Sequence, residues 1–118
     1  MSKAAILLLA ATDTPESTGR MANALTTTNE FHDAGDEVKL IFDGAGVTWI
    51  PVLADPQHKY HRLFEEVREV PAGACLYCSR AYGVKDGVEA AGIRFLDEFR
   101  DHPSLRALVA EGFHVITF

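Results

Sequence analysis

Residues 70–84 read VPAGACLYCSRAYGV and contain both cysteines of the chain, Cys75 and Cys78. The small residues before them are compatible with a short third strand, and a helix is expected from about Tyr77. A thiol between a strand and a helix faces the positive end of the helix dipole, which favours the thiolate. The stretch therefore predicts nucleophilic thiol chemistry on an α/β scaffold.

On either side of this stretch, the chain alternates apolar runs with helical patterns. Thr14 and Pro15 predict the start of one helix, and Asp55 and Pro56 predict the start of another. Residues 47–53 predict a short kinked helix or a packed loop, because Pro51 interrupts them. Strands are expected at about residues 4–11, 38–42, 70–76 and 113–118, with a short fourth element of open type at 93–96 and a helix at 103–112. The alternation predicts one domain over residues 1–118, with a mostly parallel sheet of about five strands and helices on both faces.

Composition and charge exclude several classes of function. The chain has 11 basic and 17 acidic residues, and this net charge of −6 opposes binding to nucleic acid. The apolar run from Ala4 to Ala11 is too short to span a bilayer, so no membrane partner is expected. It predicts a buried strand, with the core of an export signal as the alternative. Two cysteines do not make a disulfide framework, which favours a reducing compartment, the cytoplasm.

A candidate substrate site lies where the strands of such a sheet end. Ligands of open α/β sheets bind beyond the carboxyl ends of the strands, where Cys75 would meet residues that follow the first two strands. The candidate substrate-binding residues are Asp13, Thr14, Asp43, Gly44 and Gly46. The Gly44–Gly46 turn lacks a full dinucleotide fingerprint, so a tight turn is favoured over a phosphate cradle.

A metal site is the alternative interpretation of the cysteines. His58 and His61 form an HxxH pair ahead of the CxxC pair, and these four side chains could hold zinc tetrahedrally. Otherwise no cofactor is expected. A third interpretation of the cysteines is that they are structural and buried in a small-molecule-binding module. His32, His102 and His114 show no motif and are interpreted as surface or packing residues.

The chain resembles the DsrE/DsrF-like (YchN-like) sulfur-relay family over nearly its whole length. The resemblance rests on the apolar first strand, the passage from Ala34 to Phe42 into residues 43–47, and a cysteine followed eight positions later by Gly83. Val84 and then Asp86 continue that last pattern. It implies a small flavodoxin-like three-layer sandwich. It also implies that Cys75 is the sulfur-carrying residue, with Cys78 one helical turn further on.

The sequence therefore predicts a cytoplasmic protein that carries or transfers sulfur as a persulfide on Cys75, with Cys78 as the resolving thiol. It leaves open whether the protein is an enzyme, a sulfurtransferase, or only a carrier. Protein sulfur donors and acceptors are the expected partners. The resemblance also implies a homo-oligomer, a trimer or hexamer. The apolar residues Trp49, Ile50, Val52 and Leu53 are expected to supply the buried patch between subunits.

Overall fold

The computed structural model describes residues 1–118 and contains one sheet of five strands. The strands are β1 (Lys3–Leu8), β2 (Glu37–Phe42), β3 (Ala72–Cys75), β4 (Arg94–Leu96) and β5 (His114–Thr117). They lie in the order β4-β3-β2-β1-β5, and every neighbouring pair is parallel. The predicted α/β architecture is confirmed, with a sheet that is parallel throughout. The short element at 93–96 is the edge strand β4.

Six helices connect the strands, and two 3₁₀ turns accompany them at residues 44–48 and 67–69. The helices are α1 (Pro15–Asp33), α2 (Trp49–Ala54), α3 (His61–Glu66), α4 (Leu76–Ala81), α5 (Lys85–Ala90) and α6 (Leu105–Ala110). The start of α1 follows the sequence signal, because Thr14 Oγ1 accepts a hydrogen bond of 3.0 Å from the amide of Ser17. None of the helices combines the length and the apolar composition that crossing a bilayer requires.

Two apolar clusters place helices on both faces of the sheet. Strand side chains alternate between faces, so Ile6 and Leu8 belong to one cluster while Ala5 and Leu7 belong to the other. The first cluster has 22 buried residues, among them residues of α1, α2 and α3, whereas the second has five and includes Leu108 of α6. The fold is thus the predicted three-layer α/β sandwich, and its second helical layer is thin.

The helix predicted from Asp55 and Pro56 begins later than the sequence suggested. The Asp55 carboxylate accepts a hydrogen bond from the amide of Gln57, and Nδ1 of His58 accepts one from the amide of Tyr60. These local bonds stabilise turns instead of a helical start, which is a known alternative for short polar side chains. The helix α3 therefore starts at His61 and is followed by the 3₁₀ turn.

The segment around Pro51 is part of the core, so the prediction that its apolar residues form a patch between subunits is wrong. Trp49, Ile50 and Leu53 are at most 2% exposed, and Val52 packs against the same cluster. Pro51 is tolerated because it lies in the first turn of α2, where an amide has no partner within the helix. The apolar character of this segment is explained by packing within one chain.

Candidate functional site

Four side chains meet at the carboxyl edge of the sheet: Asp43, Cys75, Cys78 and His102. Asp43 directly follows β2, and Cys75 ends β3. Cys78 lies in the first turn of α4, and His102 lies in the loop between β4 and α6. One donor atom from each residue lies within 4.8 Å of the others. The parallel sheet explains this convergence, because its strands end at one edge.

Cys75 is fully buried and has polar contacts with its thiol. Its Sγ lies 3.3 Å from Nδ1 of His102 and accepts a 3.3 Å hydrogen bond from the amide of Cys78. It also donates to the carbonyl oxygen of Asp101 at 3.7 Å. The Ser79 hydroxyl, itself buried, donates to the Cys75 carbonyl at 2.8 Å. The junction of β3 and α4 is thereby fixed around the sulfur.

Cys78 has a different partner. Its Sγ donates to Oδ1 of Asp43 at 3.6 Å, and the same oxygen accepts a 2.8 Å hydrogen bond from the amide of Gly44. The two cysteines thus differ in their partners, because Cys78 contacts a carboxylate whereas Cys75 faces an imidazole.

The expectation of an activated thiolate at Cys75 is wrong for the resting site. Burial raises the pKa of the Cys75 thiol to about 12, because a charged sulfur would lose its water. The Cys78 amide lowers this pKa, but the nearby Asp43 carboxylate and Cys78 thiol raise it further. The six-residue helix α4 does not offset the cost of burial. At neutral pH the thiol is protonated and needs a proton acceptor to react.

A tight turn holds His102 against Cys75. Phe99 and His102 exchange two backbone hydrogen bonds of 2.9 and 2.8 Å, and the residues between them have positive φ, 50° at Arg100 and 65° at Asp101. Positive φ at both central positions is the mark of a type I′ turn. The Tyr77 amide donates to the Asp101 carbonyl at 2.8 Å, and the Tyr77 ring stacks on the His102 ring at 4.7 Å. The backbone of the turn and the Tyr77 ring therefore hold the imidazole in place.

Of the five predicted substrate-binding residues, the structure brings Asp43 into this group. Asp13 is exposed, and the Thr14 side chain caps α1. Gly44 contributes its amide to Asp43. Gly46 has a structural role, because a Cβ atom there would lie 1.8 Å from the Leu8 carbonyl oxygen. The glycine permits the chain after β2 to cross the end of β1.

The predicted zinc ligands His58 and His61 are engaged elsewhere. Nδ1 of His61 lies 2.7 Å from the Leu53 carbonyl, and the His58 ring packs edge-on against Trp49. His58 lies in the connection between α2 and α3, and His61 is the first residue of α3. The histidine beside the cysteines is His102, which was predicted to be a surface or packing residue. Its one signal was position, in the loop after the fourth strand and so at the same sheet edge as Cys75.

Asp43, Cys75, Cys78 and His102 form a group that could hold a metal ion. Thiolate sulfur, imidazole nitrogen and carboxylate oxygen are the ligands of zinc sites in proteins. A cavity of about 420 Å³ elsewhere in the protein does not include these residues. It lies on the thinly covered face of the sheet, beside Ile41, Arg94 and Leu108.

Comparison with known proteins supports the fold. No protein-family model matches the chain. An uncharacterized protein of Methanocaldococcus jannaschii is 28% identical over 96 residues, which cover 81% of this chain and 78% of the relative. The structure of a conserved protein of unknown function from Bacteroides thetaiotaomicron matches with a TM-score of 0.60 at 17% identity. That match covers 97% of this chain and 94% of the other, and it shows that the two proteins share a fold.

Proposed function

We propose that this protein carries sulfur as a persulfide on Cys75. The observation that carries the proposal is the 3.3 Å approach of His102 Nδ1 to Cys75 Sγ, with a second thiol three residues further along the chain. A buried thiol with its own proton acceptor and a neighbouring resolving thiol is suited to sulfur exchange. The resemblance to the DsrE-like family favours the same function. The proposed compartment is the cytoplasm, because two cysteines do not make the disulfide framework of a small secreted domain.

In the loading step, Cys75 Sγ attacks the outer sulfur of a donor persulfide. Its S–H bond breaks as the proton passes to Nδ1 of His102, and a new S–S bond forms on Cys75. The S–S bond of the donor breaks, and its electron pair leaves with the donor sulfur as a thiolate. That thiolate takes up the proton from His102. One thiol and one persulfide are exchanged for another thiol and persulfide, so no oxidant or reductant is consumed.

Unloading has two routes. An acceptor thiolate can attack the outer sulfur of the loaded Cys75, which returns the Cys75 thiol to its resting form. Alternatively, Cys78 attacks the inner sulfur, expels hydrogen sulfide and leaves a Cys75–Cys78 disulfide. In this second route Asp43, 3.6 Å from Cys78 Sγ, is placed to accept the thiol proton. The first route makes the protein a carrier, and the second requires a reductant such as a dithiol before the next cycle.

Access to Cys75 requires the turn at residues 99–102 to move, because the sulfur is fully buried beneath it. The outer surface of this region is partly apolar: Phe99 is 60% exposed and Tyr77 is 54% exposed. Exposed aromatic side chains are favourable contacts for a protein partner. We therefore place the docking of a protein donor or acceptor at this turn.

The loading step is tested with metal-free, reduced protein and a low-molecular-weight persulfide such as glutathione persulfide. Mass spectrometry of the peptide that contains both cysteines should show one added sulfur on Cys75 in the wild type and in Cys78→Ser. Cys75→Ser should gain none, and His102→Asn should load about 100-fold more slowly, a typical effect of losing a general base. His114→Asn, an exposed histidine on β5, is the matched control. Equal loading of Cys75→Ser and wild type would contradict the proposal.

We also propose that the protein is a homo-oligomer, a trimer or hexamer, that associates through α6. Leu105 and Val109 lie one helical turn apart on α6, and Val109 is 64% exposed. Light scattering should give a multiple of the chain mass of 12.9 kDa. Val109→Asp should reduce that mass while Val109→Thr retains it. A wild-type mass of a single chain would refute the assembly.

A zinc-stabilised module without sulfur chemistry is the second candidate. It is favoured by the four donor atoms that lie within 4.8 Å of one another. A structural zinc ion contributes directly to folding free energy, so chelation should then lower the melting temperature markedly. Such a module should take up no sulfur at Cys75 when it is metal-free, whereas a metal-free sulfur carrier should be loaded.

A further inference from the structure

We propose that Asp43, Cys75, Cys78 and His102 bind a tetrahedral divalent metal of the zinc class, and that this metal and a persulfide on Cys75 exclude each other. The metal thus inhibits sulfur transfer because it binds the reactive atom, Cys75 Sγ. The second half of this inference rests on the proposed function, whereas the metal site stands on its geometry alone.

The distances between donor atoms fit a tetrahedral ion. Zinc bonds of about 2.3 Å to sulfur and about 2.0 Å to nitrogen or oxygen place sulfur about 3.5 Å from the other donor. Cys75 Sγ lies 3.3 Å from His102 Nδ1, and Cys78 Sγ lies 3.6 Å from Asp43 Oδ1. The two thiols and their partners therefore need only small shifts to surround one ion.

The donor set selects the class of ion. Two sulfurs and one imidazole favour zinc, cobalt or copper over magnesium and calcium, which prefer oxygen ligands. The carboxylate of Asp43 completes four ligands. Zinc binding breaks both S–H bonds, releases two protons and forms two metal–sulfur bonds, so no redox partner is needed.

Neighbouring groups already orient the ligands. The Cys78 amide donates to Cys75 Sγ, and the Gly44 amide donates to Asp43 Oδ1. His102 is held by the 99–102 turn and by stacking on Tyr77. Such contacts fix ligand orientation and are a regular part of metal sites. They also reduce the conformational entropy that the ligand side chains lose when a metal binds.

The two states exclude each other because they use the same sulfur atom. A metal ion occupies Cys75 Sγ and draws on its electron pair, so the atom cannot attack a donor persulfide. Conversely, persulfide formation moves the anionic end of the side chain outward by one S–S bond, about 2.05 Å. The charged outer sulfur and the other three donors then no longer surround a single ion. The route that forms a Cys75–Cys78 disulfide removes both thiolates.

The metal site is tested by titrating reduced full-length protein with Co²⁺, which gives strong visible bands when it is tetrahedral and sulfur-bound. We expect these bands in the wild type. The variants Asp43→Asn and His102→Asn each alter a proposed ligand and should weaken Co²⁺ binding by at least about 100-fold. Loss of a hydrogen-bond partner outside the ligand shell already costs up to about 100-fold. The matched controls are His58→Asn and His61→Asn, which alter the histidines of the HxxH pair. Equal losses in the controls, or no tetrahedral bands in the wild type, would overturn the site.

Exclusion is tested by comparing metal-free and zinc-loaded wild type in two reactions at Cys75, loading from glutathione persulfide and alkylation by iodoacetamide. Zinc should slow both at least about tenfold, and a chelator should restore both rates. Equal rates with and without zinc would overturn the exclusion. If the metal-free protein takes up no sulfur but zinc still protects Cys75 from alkylation, the proposed function fails and the metal site is supported.

Discussion

At the scale of the residue, Cys75 is subject to two opposing effects. The amide of Cys78 at the start of α4 stabilises a negative sulfur, whereas complete burial removes the water that would solvate it. Burial is the larger effect, and the pKa of Cys75 rises to about 12. The reactivity of this thiol therefore depends on His102 and on movement of the turn above it.

This pKa predicts how stability changes in alkali. In the unfolded chain the thiol ionises near its ordinary pKa of 9.0, whereas the folded protein retains the proton up to about 12. The contribution of Cys75 to the free energy of unfolding is therefore complete below pH 9.0. It is lost as pH rises toward 12, with a slope of at most about 1.4 kcal/mol per pH unit. Urea denaturation should show a steeper decline for wild type than for Cys75→Ser. A difference between the two proteins that is constant across this range would contradict the raised pKa.

Gly46 offers a second test at this scale. A Cβ atom there would meet the backbone of Leu8, which is fixed within the sheet by its pairing with Phe42. We expect Gly46→Ala to destabilise the protein by about 3 kcal/mol or more. The control is Gly19→Ala on α1, where the space is open and alanine should stabilise by about 0.5–1 kcal/mol. Comparable unfolding midpoints for the two variants would refute the packing role.

The sequence identified three of the four site residues. Asp43 follows a predicted strand and Cys75 lies at the end of another, so the rule for parallel sheets located both, and the CxxC spacing added Cys78. His102 was missed because it lies 27 positions after Cys75 and carries no spacing signal. His58 and His61 looked like ligands from their spacing, but α3 begins only at His61, so the two do not share a helix.

At the scale of the element, the backbone of the 99–102 turn is strained, and the turn lies directly against Cys75. Arg100 and Asp101 both have positive φ, a conformation for which Asn-Gly is the preferred sequence. The sequence therefore gave no hairpin signal, and the turn was not predicted. Strained backbone is often found at functional sites, where the surrounding contacts retain it. Here the retaining contacts are the Tyr77 amide and the Cys75 thiol.

Replacing the central residues of this turn should relieve the strain. We expect the double variant Arg100→Asn and Asp101→Gly to raise the free energy of unfolding by about 1 kcal/mol. The Arg80–Asp101 ion pair that it removes is exposed and contributes little. Asp97→Gly, at a position without positive φ, should instead destabilise slightly. A double variant less stable than wild type would show that the turn is not strained.

The short strand β3 shows why propensity was a weak guide to this element. Gly73 is required because a Cβ atom there would lie 2.6 Å from the Leu96 side chain of β4. The small residues that lowered the strand propensity thus permit close packing next to the edge strand. Helix α5 was not predicted, because residues 85–90 form only a short helix with one buried residue, Val88.

At the scale of the whole molecule, the order of the strands determines where chemistry can occur. Alternating strands and helices allowed the parallel sheet to be predicted, because such a chain has few other ways to bury its apolar runs. The order places β2, β3 and β4 side by side, so the residues that follow these strands converge. The uneven distribution of helices between the two faces was not predicted. It depends on packing between distant segments, which periodicity does not report.

The central claim is that Cys75 carries sulfur, and the intact mass of metal-free protein purified without reductant tests it most directly. Under denaturing conditions we predict a species heavier than the reduced chain by one sulfur atom, which reductant removes. Cys78→Ser should retain this species and Cys75→Ser should lack it. A wild-type protein with only the mass of the plain dithiol, a Cys78→Ser variant without the added sulfur, or an added sulfur that persists in Cys75→Ser would contradict the account.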